Sequence, residues 1–125
     1  MDPHAAGQRR RYQRVELDAP IRVSTIDPEL DPYTGRSFFR SFEDRCVNLS
    51  RGGLLLRSHE TLAPGRRILL EVELPGGPRF EAVARIAWTS PAGEELDHGI
   101  EFLGGIPDHL TRLERFLGRA LHSAA

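Results

Sequence analysis

The sequence has no lysine, a single cysteine and almost no net charge. Its 17 basic residues are all arginine and face 18 acidic residues, for a formal charge of −1. No overall field therefore draws the chain to nucleic acid or to an anionic membrane. Arginine-only basicity fits the codon usage of a GC-rich genome, so any one arginine carries less meaning than usual. Cys46 has no second cysteine to pair with, which fits a reducing, cytoplasmic setting. There is no signal-type apolar segment, and no run approaches the roughly 20 apolar residues that span a bilayer. The histidines (His4, His59, His98, His109, His122) show no metal-ligand spacing, and Cys46 has no neighbour at zinc spacing. Neither a G-x-S-x-G, a P-loop nor an H-E-x-x-H is present. Glu94 and Glu95 sit in a polar stretch, and nothing assembles a nucleophile, a base and an oxyanion site. These absences argue against an enzyme and against a metal centre.

What remains is one domain's worth of short apolar runs. A chain of 125 residues can bury a single core. Ile21 to Ile26 alternates apolar and polar, the mark of a half-buried strand. Asp27 to Gly35, broken by two X-Pro steps, reads as a loop. Arg36 to Val47 reads as a second strand, with Phe38, Phe42 and Val47 as core candidates. Asn48 to Gly53 is a turn, and Leu54 opens a third strand. Further strands follow over Ile68–Leu74, Phe80–Trp88 and His98–Leu103, with Pro91–Asp97 as a loop. In the Phe80 run, Phe80, Ala82, Ala84, Ile86 and Trp88 share one side, which makes Trp88 a core residue rather than a stacking platform. From Pro107 the period lengthens, and Leu110, Leu113, Leu117 and Leu121 recur at helical spacing. Six strands and one helix predict a mainly β fold: a small antiparallel six-stranded barrel with a C-terminal helix.

Two segments stand out as chemistry. Arg9-Arg10-Arg11-Tyr12-Gln13-Arg14 contains R-x-x-x-R at Arg10 and Arg14, and Asn48-Leu49-Ser50-Arg51-Gly52-Gly53 contains N-x-S-x-x-G. Either segment alone is ordinary, an arginine-rich arm and a β-turn. Together, and followed by strands, they resemble the two-part signature of the PilZ domain family, bacterial receptors for cyclic di-GMP. Similar features continue through the Pro64-Gly65 turn, Arg85-Ile86-Ala87-Trp88, Gly99-Ile100-Glu101-Phe102 and the final helix, roughly residues 9 to 121. Two departures are the long Asp27–Gly35 connection and Asn48, where many members carry Asp.

The resemblance implies a PilZ-like split barrel over residues 9–122, preceded by a flexible arm over 1–8. It implies cyclic di-GMP as ligand and Arg10, Arg14, Asn48, Ser50 and Gly53 as residues that hold it, to which the neighbouring Arg9, Arg11 and Gly52 are added as binding candidates. The chemistry is consistent. A guanidinium fork matches guanine O6 and N7, and its plane stacks on a purine. Asn48 can accept from guanine N–H groups, and glycines would permit positive φ and close approach of the backbone. Arg9 and Arg11 lie outside the fixed motif positions, and an extra arginine there suits a self-intercalated ligand dimer. The residues 9–14 are expected to become ordered when ligand binds. Output would pass to an unidentified effector protein in motility, biofilm or exopolysaccharide control, with the chain a monomer or weak dimer that inserts in no membrane and binds no nucleic acid. Rival readings are a PilZ-fold interaction module that needs no nucleotide and a small barrel for single-stranded nucleic acid. The latter needs a basic groove with exposed aromatics, and the near-neutral charge argues against it.

Overall fold

The computed structural model describes residues 13–77 and 79–124. Six long strands form the barrel: β1 (Val15–Thr25), β4 (Ser41–Leu49), β5 (Gly53–Ser58), β6 (Arg67–Glu73), β7 (Arg79–Ala92) and β8 (Glu95–Gly105). They close in the order β1-β4-β5-β8-β7-β6, every pair antiparallel, with β6 returning to β1 from Ile21↔Val72 to Thr25↔Ile68. Closure leaves none of the six strands as an unpaired edge. The period-2 patterns of the sequence set which side chains point inward. Ile21 and Val23 of β1, Ile68, Leu70 and Val72 of β6, and Phe80, Ala82, Ala84 and Ile86 of β7 are all buried. Each large side chain of this set contributes about 1.5–3 kcal/mol of burial. Phe80 meets Phe102 edge to face, with centroids 5.3 Å apart.

Helix α1 (Pro107–Ala124) packs on β7 and β1. Leu113 and Leu117 are buried there, with Leu110 and Phe116 half-buried beside them. His109 Nδ1 accepts the Glu81 backbone N–H at 3.0 Å, fixing the first turn of the helix to β7.

Several sequence expectations change. The Asp27–Gly35 connection carries a strand, β2 (Glu29–Leu30), paired with β3 (Ser37–Phe38) as a small hairpin outside the barrel. The run Arg36–Val47 is thus split between β3 and β4. Phe38 lies exposed on the hairpin rather than in the core, Phe42 is half-buried against the core, and Val47 falls at the irregularity between Cys46 and Asn48 and is half-buried. Ion pairs fasten the hairpin. Arg40 forks onto Glu29 at 2.6 and 2.7 Å and also reaches Glu60 at 3.0 Å. Arg67 clasps Asp27 at 2.7 Å, and this hydrogen bonding holds the Asp27 carboxyl below its ordinary range. The predicted Pro91–Asp97 loop shrinks to the Gly93-Glu94 turn between β7 and β8, with Gly93 at φ 66°. A glycine with positive φ in the first position matches the II′ turn that joins twisted strands. Pro91 is tolerated in β7 because β6 pairs only as far as Arg85, so its missing N–H faces an open side.

Cys46 is buried and its thiol is pushed up to about 12 by desolvation, which makes it a packing residue. His98 is fully buried, its Nδ1 2.9 Å from Thr89 Oγ1 and its Nε2 2.9 Å from the Glu60 carbonyl. The Glu60 carbonyl can only accept, so Nε2 carries a proton, while Nδ1 faces a Thr89 hydroxyl whose single proton is also within reach of the Leu62 carbonyl at 3.1 Å. Burial lowers the His98 pKa below its ordinary value. The unfolded chain therefore binds this proton at higher pH than the native one, so His98 weakens the fold as pH drops through about 6.5 and leaves it unaffected above. Urea unfolding across this range should show stability falling on acidification, and His98→Gln should flatten that fall. An equal pH slope in wild type and variant would remove His98 as the cause.

Candidate ligand-binding site

The Asn48–Gly53 turn is closed by Ser50. Its backbone N–H donates to the Gly53 carbonyl at 2.8 Å, its hydroxyl donates to the same carbonyl at 3.3 Å, and the Gly52 N–H donates to Ser50 Oγ at 3.2 Å. The hydroxyl proton is thus committed to the turn, and one lone pair remains to accept from a ligand. The Phe102 N–H donates to the Gly52 carbonyl at 2.9 Å, which ties the turn to β8.

Gly52 and Gly53 were expected to allow positive φ, and here the structure differs. The left-handed glycines among the described residues are Gly35, Gly65, Gly76 and Gly93. Gly53 is required for another reason: a Cβ there would run into the carbonyl oxygen of Ile100 on β8. The expected close approach is real, but it is between two strands.

Trp88 also departs from expectation. The register of β7 on β8 slips between Ile86 and Trp88, so Ile86 pairs with Ile100 while Trp88 pairs with Gly99. The extra residue inverts the alternation, as a bulge does. Ile86 stays in the core, and Trp88 turns outward, half-buried, over Gly99. A Cβ on Gly99 would collide with Nε1 and Cε2 of the indole, so the ring lies flat on bare backbone.

Arg14, Ser50, Gly52, Gly53, Trp88 and Glu101 line one cleft of about 370 Å³. At its edge Arg14 Nη1 donates to Asn48 Oδ1 at 3.1 Å, joining residues 34 positions apart. Arg14 is therefore already held, where an unordered segment had been expected. Arg9, Arg10, Arg11 and the 1–8 arm lie outside the described residues. Arg51, central in the turn, pairs with Glu114 of α1 at 3.0 Å. Glu101 on the floor is joined to Arg85 at 2.9 Å. Of the expected residues, Arg14, Asn48, Ser50, Gly52 and Gly53 come together. Trp88, Gly99 and Glu101 were missed, although Gly99-Ile100-Glu101 already stood out as a motif. Among the described residues no His, Cys, Asp and Glu cluster is arranged to hold a metal ion.

The architecture is a closed six-stranded β-barrel with a C-terminal helix, carrying this cleft at the turn between β4 and β5. The PilZ domain family model matches residues 8–119, and the chain belongs to that family. A search of curated proteins finds no significant match. Among solved structures, the PilZ domain of Escherichia coli YcgR with c-di-GMP superposes with a TM-score of 0.65 at 20% identity, covering 94% of this chain and 95% of that one. The Bacillus subtilis inhibitor of motility MotI/DgrA gives 0.68 at 19% identity, over 94% of this chain and 54% of that one. The K. pneumonia MrkH–c-di-GMP complex gives 0.69 at 14% identity, over 94% and 54%. The chain thus spans about half the length of the MotI and MrkH structures. These likenesses establish a shared fold.

Gly53→Ala should force β5 from β8 and lower stability by about 1–3 kcal/mol, the usual cost of overpacking. The denaturation midpoint reports this; an unchanged midpoint would mean that β8 yields at no cost.

Proposed function

We propose that this chain is a receptor for cyclic di-GMP, which it binds in the cleft between Arg14 and the 48–53 turn. The observation that carries the reading is the Arg14–Asn48 hydrogen bond, which joins the two halves of the motif at the rim of a cleft floored by Trp88. Family membership and the PilZ domain of YcgR, solved with c-di-GMP, support it. The Arg14 fork, released from Asn48, meets guanine O6 and N7. Asn48 Oδ1 and the free lone pair of Ser50 then accept from guanine N–H groups. The indole face of Trp88 offers a stacking surface for a base. Arg9, Arg10 and Arg11 supply cations for the phosphodiesters and, for a ligand dimer, a plane for the second nucleotide.

The reading makes the chain a receptor and adaptor in bacterial signalling and not an enzyme. Output is a protein–protein contact of the motility, biofilm or exopolysaccharide class, in the cytoplasm. The Arg51–Glu114 pair supports a route for that output, since a shift of the turn on binding is felt at α1. Among the described residues, no helix is long and apolar enough to cross a membrane.

Calorimetric titration tests the reading. Cyclic di-GMP should bind with micromolar or tighter affinity, and cyclic di-AMP much more weakly, because adenine N6–H2 confronts the arginine donors. Arg14→Ala should weaken binding about tenfold to a hundredfold, the loss of one charge-assisted hydrogen bond. Trp88 is the single tryptophan, so its fluorescence should change on binding. Equal affinity for the two nucleotides would sink guanine recognition, and no binding at all would favour the nucleotide-independent interaction module.

A separate expectation concerns order. Amide-exchange protection should rise in 9–14 and 48–53 with ligand, while the strand around Ile86 stays flat. Protection unchanged in both segments would place the ligand elsewhere.

A further inference from the structure

Helix α1 separates its charges by flank. Arg112, Arg115 and Arg119 recur at spacings of three and four, which stacks them along one side of the helix. Glu114 lies on the other side, where it pairs with Arg51. The remaining helix carboxylate of the described residues, Asp108, sits in the first turn, where the helix dipole favours it. Arg115 and Arg119 make no ion pair among the described residues, and Arg112 spends one N–H on the Arg79 carbonyl at 3.0 Å. Nearby Arg79 is shared between Glu71 at 3.6 Å and Glu81 at 3.8 Å.

Like charges at these spacings repel and weaken a helix. The macrodipole acts only within the last turn, so it does not account for Arg112 and Arg115. On the barrel and its hairpin, Arg40, Arg57, Arg67 and Arg85 each hold a carboxylate. The side of α1 differs from these in gathering three arginines that make no ion pair among the described residues. It also has an apolar floor. The three arginines ring a hollow of about 130 Å³ whose other walls are Leu74, Gly77 and half-buried Phe116. That hollow takes one apolar side chain, with guanidinium groups around the opening.

We propose that this side of α1 is a docking site for an acidic protein segment that inserts one aromatic or large aliphatic side chain between Arg112, Arg115 and Arg119. The charge selects a carboxylate-rich partner, and the apolar floor favours a peptide over a polyphosphate or a nucleic-acid backbone, which would leave it unfilled. The site shares no lining residue with the cleft of Arg14 and Trp88.

The test uses the whole chain without nucleotide and a fluorescein-labelled peptide of alternating aspartate and serine around a central phenylalanine, followed by anisotropy. The peptide should bind, and raised salt should weaken it, as screening of exposed charge requires. Replacing its phenylalanine by serine should cost about fivefold or more in affinity, as expected for losing a buried aromatic anchor. The double variant R115E/R119E should cost about tenfold or more through charge repulsion. R115K/R119K should retain most of the affinity. R115Q/R119Q, a milder change, should also weaken binding and serves if the reversal disturbs folding. Affinity unchanged by R115E/R119E or by R115Q/R119Q would overturn the site, as would failure of the peptide to bind. An oligothymidylate that competes as well as the peptide would make it a general polyanion surface and overturn the assignment to protein.

Discussion

Gly53 and Gly99 lie on neighbouring strands of the barrel, β5 and β8, and neither tolerates a side chain. At Gly53 the Ile100 carbonyl occupies the space a Cβ would need, and at Gly99 the Trp88 indole does. These two close approaches set the cleft. The first lets the Ser50–Gly53 turn sit directly on β8, where Phe102 N–H bonds to the Gly52 carbonyl. The second lays an aromatic plane beside that turn. A methyl group at either point would separate the strands or lift the ring, and the remaining cleft residues would lose their common floor.

The rest of the barrel acts as a stiff support for this arrangement. Closure pairs all six strands, and the inward residues of β1, β6 and β7 fill the interior. Among the described residues, buried polar side-chain atoms are paired, as with His98 between Thr89 and Glu60. Most ion pairs are exposed and add little stability singly. Their value is positional: Arg40 and Arg67 hold the β2–β3 hairpin against the barrel, while Arg51 links the 48–53 turn to α1. The turn therefore touches both the proposed ligand cleft and the helix whose arginine side is proposed to meet a partner.

Hydrophobic alternation was enough to read the barrel strands, because a strand with one buried face repeats every two residues. The helix was legible because Leu110, Leu113, Leu117 and Leu121 repeat at a different period. The Asn48–Gly53 turn was legible from its own composition, and its pairing with an upstream arginine motif pointed to the family. The hairpin at 29–38 was not, since its strands are two residues long and rest on ion pairs between distant positions. Trp88 was misplaced because alternation counts residues and cannot see where a register slips.

The order of strands, the identity of the motif residues and the nearness of Ser50 to Gly53 were properties of the sequence itself, since each rests on local periodicity or on neighbours along the chain. That Arg14 meets Asn48, that Trp88 faces outward over Gly99, that Gly53 is demanded by Ile100 rather than by its own φ, and that Arg51 reaches Glu114 were decided only by the tertiary structure. Each is a contact between residues far apart in sequence, fixed by strand register and barrel closure, and neither leaves a trace in the residues on either side.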